Sequence, residues 1–350
     1  MPGLASTAVP LREAFDGALV DLDGVLYRGG SAIDHAVAEL RDASTAGMAL
    51  SYVTNNSARP PATVAEQIRG YGLECDEEDV LTSAQAAAQL LAEHLPERGR
   101  VLPIGGDGLR LALEHEGFTL CESAEERPRA VVQGFSAQLT WRDLAEAAYA
   151  INAGAIHLAT NLDAAIPDER GIAPGNGALV GAVVAATDRH PLASGKPTPE
   201  IFHLAAERSG ARRPLVIGDR LDTDLQGARA AGMPGLLVLT GVSAPHDALL
   251  APPSQRPSFL GADLRALSQP HPAPRREVEG WWVCSDAAAR VVDGELRIAA
   301  ARAGDSARRL TAPESRITLD EWRALCAAAW DFTDTVGEKP QVPTLDLATP

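Results

Sequence analysis

Three short apolar runs of this chain are each followed at once by a polar or acidic segment. Such runs alternate with segments of helical periodicity, a pattern typical of a parallel β-sheet wrapped by helices on both faces. In open parallel sheets the ligand lies at the carboxyl ends of the strands, so residues distant in sequence meet there. The runs and the segments that follow them are Gly17–Val20 with Asp21, Met48–Val53 with Thr54, and Leu215–Ile217 with Gly218 and Asp219.

The 350-residue chain is long enough for two domains and a small module. The strand–helix alternation restarts near Arg100 and continues to about Ala186, which indicates an inserted domain. Prolines between Ala251 and Pro274 indicate a linker. We expect an α/β fold with a Rossmann-like doubly wound parallel sheet core, an inserted α/β cap domain and a small α+β C-terminal module. The predicted boundaries are 1–85 and 190–265 for the core, 86–189 for the cap and 275–340 for the module.

The predicted C-terminal module has its own local signals. Trp281–Val283 and Glu295–Ala299 are expected to be strands, and Asp293-Gly294 is a hairpin turn signal between apolar runs. Leu319–Trp330 fits one helix. The adjacent tryptophans at 281 and 282 are expected to belong to the core rather than to a binding platform, and the last dozen residues are expected to be frayed.

Charge excludes several classes of partner. Acidic groups outnumber basic ones by 47 to 31, which gives a net charge of −16, and such a surface repels nucleic acid and anionic membranes. Any phosphate site must therefore be built locally from cations and backbone N–H groups. The chain has no run of 18 apolar residues, no signal-peptide pattern and no zinc or disulfide pattern among its four cysteines. We expect a reduced, cytoplasmic location.

The aspartates at the strand ends fit the hydrolysis of a phosphate ester. The ester is anionic, so a carboxylate that attacks it is repelled unless a divalent cation neutralises both. Asp21 and Asp219 offer the hard oxygen ligands that Mg²⁺ prefers, and a carboxylate nucleophile divides one difficult step into two easier ones. Asp23 lies two residues from Asp21, close enough to act as general acid and then as base for water.

Donors to the phosphoryl oxygens are expected from three places. They are the Thr54 hydroxyl, backbone N–H groups around Asn55, and the ammonium of Lys196 just ahead of a predicted helix. Asp222 and Asp224 add negative charge near the metal. One of them is expected to orient its waters or to hold Lys196, with capping of the following helix as the alternative for Asp222.

Four segments resemble, in order, the haloacid dehalogenase superfamily of phosphatases. They are D-x-D-G-V from Asp21, T-N-N from Thr54, G-K-P from Gly195 and G-D-x-x-x-T-D from Gly218, and the match covers roughly residues 14–265. The resemblance implies that Asp21 is the nucleophile and Asp23 the acid and base. It also implies that magnesium is contacted by Asp21, the Asp23 backbone carbonyl and Asp219. Phosphate contacts are implied for Thr54, Asn55 and Lys196.

The insert is similar to the cap of the nitrophenyl-phosphatase-like branch, which includes phosphoglycolate, pyridoxal-phosphate and glycerol-phosphate phosphatases. The insert is expected to close over the site, with Asn161, Asp163 and Asn176 as candidates to meet substrate hydroxyls. Arg170 is the one obvious cationic residue between Thr160 and Gly177, which favours a neutral polyol head group. The tail after Pro274 resembles that of glycerol 3-phosphate phosphatases with an acetyltransferase-like tail, but it lacks an acyl-CoA loop, so acetyl transfer is not expected.

We therefore predict a magnesium-dependent phosphomonoester hydrolase that acts through an aspartyl-phosphate on a small phosphorylated metabolite. Glycerol 3-phosphate is the favoured substrate, with phosphoglycolate and pyridoxal phosphate as alternatives. A phospho-accepting or phosphate-binding regulatory module is the alternative of another class, but receiver domains lack a counterpart of Asp23 and the large insert. No nucleic acid or membrane partner is expected, and the resemblance points to a homodimer because caps of this kind often pair.

Overall fold

The computed structural model describes residues 3–168, 170–300, 308–310 and 314–348. The chain divides into two compact units, of which unit 1 comprises residues 1–50 and 211–350 and unit 2 comprises residues 51–210. Across the described ranges, no helix combines the length and the apolar character needed to cross a membrane. The predicted division into core, cap and C-terminal module stays a prediction.

The strands predicted ahead of Asp21 and Thr54 are confirmed. The first is buried at all four residues, as expected of a strand covered on both faces, and Thr54 is the last residue of the second. The elements up to this point are α1 (Leu11–Ala14), β1 (Gly17–Val20), β2 (Tyr27–Arg28), β3 (Ser31–Ala32), α2 (Ala36–Thr45) and β4 (Ala49–Thr54).

Unit 2 follows the predicted alternation of strands and helices. The side chain of Thr82 accepts a hydrogen bond from the Gln85 N–H, and the Gln85 side chain accepts one from the Thr82 N–H, so the predicted capping box is confirmed. The elements are α3 (Pro61–Gly70), β5 (Val80–Thr82), α4 (Ser83–His94), β6 (Arg100–Ile104), α5 (Asp107–His115), β7 (Thr119–Leu120), β8 (Ala130–Gln133), α6 (Trp141–Asn152), β9 (Ile156–Ala159), β10 (Ala165–Asp168), β11 (Gly171–Pro174), α7 (Asn176–Thr187), β12 (Leu192–Ala193) and α8 (Pro199–Ser209).

The main sheet of unit 2 is parallel and has apolar clusters on both faces. Its strand order is β12-β9-β8-β6-β7. Val132 of β8 belongs to a cluster with Leu91 of α4, and its neighbour Val131 belongs to a cluster with Ile151 of α6. Because successive strand residues point to opposite faces, helices cover both sides of the sheet.

The remainder of unit 1 begins with strands that continue the core and ends with a smaller sheet and a long helix. The elements are β13 (Pro214–Gly218), a π-helical turn (Leu221–Leu225), α9 (Gln226–Ala230), β14 (Gly235–Val238), α10 (Pro245–Leu249), β15 (Phe259–Gly261), β16 (Arg275–Arg276), β17 (Trp282–Cys284), β18 (Ala287–Val292), β19 (Glu295–Ala300), β20 (Arg308–Arg309), β21 (Glu314–Ile317), α11 (Leu319–Val336) and β22 (Thr344–Leu347).

The parallel strands of unit 1 bring two of the predicted motifs to one edge. Their order is β15-β14-β13-β1, and Val20 of β1 is paired with Ile217 of β13. The backbone N–H of Asp21 donates to the Ile217 carbonyl at 2.9 Å. Asp21 and Asp219 therefore leave the sheet from adjacent strands at the same end, and the predicted parallel α/β core is confirmed.

Two predictions in the C-terminal half were wrong. The proline-rich stretch from 251 to 274 is not only a linker, because β15 lies within it and pairs with β14 through the buried Phe259 and Leu260. The last dozen residues are not all frayed, because β22 pairs in parallel with β21. The predicted hairpin implies a strand before Asp293, and the bounds of that strand, β18, extend back to Ala287 through an alanine-rich start with little strand propensity.

The C-terminal sheet and α11 share an apolar cluster with the parallel strands of unit 1. Trp322 and Leu325 of α11 belong to the same buried cluster as Leu237 of β14. The hairpin predicted at Asp293-Gly294 is confirmed between β18 and β19, with φ values of 51° and 76° at the two turn residues. Trp282 packs against this cluster as predicted. The prediction was wrong for Trp281, which is only half-buried and stacks with the Arg290 guanidinium instead.

Candidate active site

Three carboxylates of unit 1 form a compact group. Asp21, Asp219 and Asp224 each offer one oxygen, and these oxygens lie within 4.8 Å of one another. Asp219 and Asp224 are buried, and Asp21 is half-buried. Like charges this close disfavour one another unless a cation compensates them. Several carboxylate oxygens around one point are the donor set that a hard divalent cation such as Mg²⁺ prefers, so these residues fit the predicted metal.

The adjacent strands β1 and β13 position two members of the group, and the π-helical turn positions the third. Asp224 accepts a hydrogen bond from the Arg220 N–H at 3.2 Å. Gly218 makes this packing feasible, because a Cβ at that position would lie 2.1 Å from the Asp224 Cβ. A side chain at residue 218 would therefore displace Asp224.

A loop after β14 fixes the Asp219 carboxylate. The Val242 N–H donates to Asp219 Oδ2 at 2.6 Å, and the Ser243 N–H donates to the Asp219 carbonyl at 3.0 Å. A Cβ on Gly24 or Gly241 would lie 2.6 or 1.8 Å from Asp219 Oδ2. Gly24 also has a φ of +86°, which an L side chain rarely adopts. Glycine is thus required at position 24 of the D-x-D-G segment for two reasons, its positive φ and the close approach of the Asp219 carboxylate.

The two remaining aspartates of these segments lie outside the carboxylate group. Asp23 is exposed in the turn after β1, where its backbone bridges to Tyr27. Asp222 pairs with Arg220, whose Nε and a terminal nitrogen donate to its two oxygens at 3.1 and 2.9 Å. Asp222 is exposed. Neighbouring atoms desolvate its carboxylate to some extent, which favours the neutral acid, but the hydrogen bonds and charge of Arg220 outweigh this and lower the pKa of Asp222. Asp224, not Asp222, lies with Asp21 and Asp219 in the carboxylate group.

The predicted phosphate-binding residues of unit 2 form a second group. Lys196 is 4% exposed, and its Nζ donates to the Val53 carbonyl at 3.2 Å. Asn55 Oδ1 accepts from the Lys196 N–H at 2.8 Å, while Asn55 Nδ2 donates to the Lys196 carbonyl at 3.1 Å and to Asp163 Oδ2 at 3.0 Å. These bonds join the end of β4 to the segment that carries Lys196, so the ammonium has a defined position.

Thr54 and Gly195 complete this group. The Thr54 hydroxyl accepts from the Asn56 N–H at 3.1 Å, which leaves its own proton available for donation. A Cβ on Gly195 would lie 2.4 Å from the Thr160 carbonyl and 2.6 Å from Asn55 Oδ1. The glycine before Lys196 therefore permits the close approach of these segments.

Two of the predicted substrate ligands, Asn161 and Asn176, are buried and bond to backbone. Asn161 Nδ2 donates to the Asn55 carbonyl at 2.8 Å, and Asn161 Oδ1 accepts from the Asp163 N–H at 3.2 Å. Asn176 Nδ2 donates to the Asn161 carbonyl at 2.8 Å. These contacts favour a role in positioning Asn55 and Asp163, and direct contact of the two amides with substrate stays a prediction.

Sequence reasoning missed Ser83, which supports the same segment. Its hydroxyl donates to the Asn55 carbonyl at 2.7 Å, and its own carbonyl accepts from the Ser194 hydroxyl at 3.3 Å. Ser83 opens α4 directly after the capping residue Thr82. No short-range signal distinguishes this serine from an ordinary residue of a first helical turn.

Two sequence families match the parts of the chain that carry these groups. The family described as haloacid dehalogenase-like hydrolase matches residues 18–119, and the family described as HAD-hydrolase-like matches residues 193–267. The first range contains Asp21, Thr54 and Asn55, and the second contains Lys196 and Asp219.

Similar proteins with assigned activities extend these matches. A D-glycerol 3-phosphate phosphatase of Mycobacterium tuberculosis is 44% identical over 74% of this chain and 72% of its own length. The crystal structure of a glycerol phosphate phosphatase from that organism with magnesium is 38% identical, covers 97% of this chain and 96% of that chain, and has a TM-score of 0.81. A 4-nitrophenylphosphatase of Thermotoga maritima is 28% identical and covers 74% of this chain and 98% of that chain, with a TM-score of 0.68.

Proposed function

The chain belongs to the haloacid dehalogenase-like hydrolases and is a phosphatase that acts through an aspartyl-phosphate, and we propose that its nucleophile is Asp21 and its substrate glycerol 3-phosphate. It requires Mg²⁺, as the predicted site chemistry and the magnesium-bound relative indicate. The substrate proposal rests mainly on the extent of one structural match. The glycerol phosphate phosphatase structure covers 97% of this chain, whereas the nitrophenylphosphatase structure covers 74%. The larger match includes a counterpart of the C-terminal sheet and α11.

The proposed reaction has two displacements at phosphorus. A carboxylate oxygen of Asp21 attacks, the bond from phosphorus to the glycerol oxygen breaks, and Asp23 gives that oxygen its proton. Asp23 then takes a proton from water as the water oxygen attacks the aspartyl-phosphate. The bond from phosphorus to Asp21 breaks, which releases inorganic phosphate and returns both carboxyl groups to their starting states.

Asp21, the Asp23 carbonyl and Asp219 are the proposed magnesium ligands, with Asp224 in support. Bound Mg²⁺ supplies the positive charge that offsets repulsion between the nucleophile and the phosphoryl oxygens. The protein's own contribution is to fix the carboxylates in place. Support for this comes from the 4.8 Å grouping of Asp21, Asp219 and Asp224 and from the backbone N–H of Val242 on Asp219.

Thr54, the backbone around Asn55, and Lys196 are the proposed donors to the phosphoryl oxygens. The amide of Asn55 binds both backbone groups of Lys196, and the Lys196 Nζ donates to the Val53 carbonyl, so hydrogen bonds hold both the backbone and the ammonium of this lysine. Donors held in place in this way stabilise developing charge without a further reorganisation cost. Asn161 and Asn176 are proposed to position Asn55 and Asp163, and Asp163 to contact a substrate hydroxyl.

Residues 86–189 are proposed to be the cap that selects the leaving group, and residues 275–340 a module attached to the core. A small phosphorylated metabolite is the proposed partner, and the proposed location is the cytoplasm.

A homodimer is proposed through α6, whose Trp141 and Tyr149 are 78% and 56% exposed.

A panel of phosphomonoesters assayed with Mg²⁺ tests the substrate. Glycerol 3-phosphate, in both enantiomers, is compared with phosphoglycolate, pyridoxal phosphate and a nucleoside 5′-monophosphate by release of inorganic phosphate. We expect the highest kcat/KM for glycerol 3-phosphate, by about tenfold or more, because sites built for substrate hydroxyls discriminate strongly against esters that lack them. A higher kcat/KM for any other ester would contradict the substrate assignment while leaving the phosphatase activity intact.

A further inference from the structure

One row of side chains crosses the C-terminal sheet and carries three arginines. Arg290 of β18 is directly opposite Arg297 of β19, and Arg297 is directly opposite Arg309 of β20. Trp281, just before β17, continues the row, and its ring lies 4.4 Å below the guanidinium of Arg290. Like charges in directly opposite positions destabilise a sheet, so this arrangement calls for an explanation.

The row lies on the face of the sheet that does not pack against α11. Ala289 and Ile298 belong to the buried cluster with α11, and strand residues alternate between faces. Arg290 and Arg297 therefore point away from that cluster. The side chains of Arg297 and Arg309 are 22% and 52% exposed, so the row is accessible from solvent.

The protein compensates this charge only in part. Within the described portion of the C-terminal sheet, one carboxylate pairs with the row, and Glu295 lies 3.6 Å from Arg297 and 2.7 Å from Arg309. Among the described side chains, three guanidinium groups against one carboxylate leave two positive charges. The Nε atoms of Arg290 and Arg297 are buried and form no hydrogen bond with any described residue. A buried donor without an acceptor costs about 1–3 kcal/mol.

We propose that the row Trp281–Arg290–Arg297–Arg309 binds a soluble phosphate-bearing anion. Two uncompensated charges match a phosphate dianion, and guanidinium groups in a fixed row give the planar, paired donors that phosphate oxygens accept. The tryptophan restricts Arg290 on one side, so less side-chain freedom is lost on binding. This site is separate from the carboxylate group at the end of β1 and β13 and does not depend on the identity of the substrate.

A soluble anion fits this chain better than an anionic membrane. The net charge of −16 opposes close contact with a negatively charged bilayer, which must face a broad area of the protein surface, whereas a small dianion contacts only the local site. Vesicles that contain phosphatidylglycerol provide the contrast. We expect no sedimentation of the protein with such vesicles; sedimentation that depends on Arg297 would overturn the proposal in favour of a membrane site.

Calorimetric titration of inorganic phosphate tests the site. The full chain is compared with Arg297→Gln and with Arg275→Gln, a matched control whose arginine is exposed on β16 outside the row. Chelator is present to weaken binding at the metal-dependent site. We expect Arg297→Gln to weaken one phosphate-binding step by about tenfold or more, since it removes charge-assisted hydrogen bonds, and Arg275→Gln to leave every step within about twofold.

Two further results decide the outcome. Arg297→Gln should retain the wild-type kcat and KM, because Arg297 contacts none of the proposed active-site residues. Retained activity would also show that the variant is folded. Should Arg297→Gln fail to fold, Arg309→Gln on the exposed edge strand takes its place. Equal phosphate binding by wild type and the row variant, or an equal loss in Arg275→Gln, would overturn the proposal.

Discussion

At the scale of single residues, the site depends on how closely backbone and carboxylates approach one another. Gly24, Gly218 and Gly241 leave space for Asp219 and Asp224 that any side chain would occupy. Gly24 could be identified from the sequence, because it belongs to the D-x-D-G motif. Gly241 carried no such signal, since its neighbour Asp219 lies on another segment and only the fold brings the two together.

The positions of single side chains also distinguish the role of Asp222 from that of Asp224, a distinction that the sequence alone did not allow. Replacement of Asp224 with Asn keeps its shape and removes one charge from the three-carboxylate group. We expect about 10- to 100-fold more Mg²⁺ to be needed for half-maximal activity, the usual consequence of altering a group that supports a metal site.

Asp222→Asn is the matched control, because Asp222 is exposed and pairs with Arg220 instead. Its Mg²⁺ requirement should stay within about twofold of wild type, as is usual for solvent-exposed ion pairs. The measurement is phosphate release against Mg²⁺ concentration for both variants. Equal shifts in the two variants would remove Asp224 from the proposed metal site.

At the scale of elements, prediction succeeded where local pattern and burial agree. The strands before Asp21 and Thr54, the capping box at Thr82 and the Asp293-Gly294 turn all carry short-range signals, and all are confirmed. Prediction from the sequence failed for β15 and β22, which are strands only because distant partners pair with them. Long-range pairing overrides local propensity in such segments.

A buried histidine, His271, contacts α11. Its protonation behaviour leads us to expect that acid lowers the stability of the fold. Desolvation lowers the pKa of His271 from 6.5 to about 4. Its Nδ1 faces a terminal nitrogen of Arg323 at 3.2 Å, and its Nε2 lies 3.0 Å from the Ala266 carbonyl. A neutral ring that carries its proton on Nε2 satisfies both contacts, whereas a protonated ring would face the guanidinium with an N–H.

The sign of the pH effect follows from the lowered pKa of the folded state. The unfolded chain binds a proton near pH 6.5 and the folded chain only near pH 4, so folding stability is complete above pH 6.5 and falls as the pH drops toward 4. The full loss is roughly 3 kcal/mol, from about 1.4 kcal/mol for each pKa unit. Urea unfolding of wild type and His271→Gln at several pH values measures it.

His271→Gln should flatten this pH dependence, because glutamine keeps a donor and an acceptor but does not titrate. His94→Gln, at an exposed position on α4, should leave the slope as in wild type. An unchanged slope in His271→Gln would show that another group causes the acid sensitivity.

A second element prediction concerns how α11 is attached. The Trp322 indole is fully buried, and its Nε1–H donates to the Pro245 carbonyl at 3.0 Å. Trp322→Phe leaves that carbonyl without its donor and opens a small cavity, so we expect the free energy of unfolding to fall by about 2–4 kcal/mol. Trp141→Phe, at a residue that is 78% exposed, should change it by less than about 0.5 kcal/mol. Chemical denaturation of both variants decides the point, and equal effects would contradict the proposed attachment.

At the scale of the whole molecule, the C-terminal segment lies in unit 1 and shares a buried apolar cluster with its parallel strands. Arg256 pairs with Asp334 of α11 at 2.6 Å while only 1% of its side chain is exposed. α10, which α11 contacts through Trp322, follows the loop whose Val242 fixes Asp219. A chain that ends at Pro274 would expose this apolar cluster and leave Arg256 without its carboxylate, so it is expected to lose stability before it reports on any separate function.

The proposed mechanism requires transfer of the phosphoryl group to Asp21, and acid quenching of single-turnover reactions detects the product of that transfer. Wild type is mixed with glycerol 3-phosphate that carries labelled phosphorus, quenched within the first turnover, and digested for peptide mapping. We expect an acid-stable, hydroxylamine-sensitive label on the peptide that contains Asp21, and neither label nor turnover in Asp21→Asn. Label on another residue, or appreciable turnover in Asp21→Asn, would contradict it.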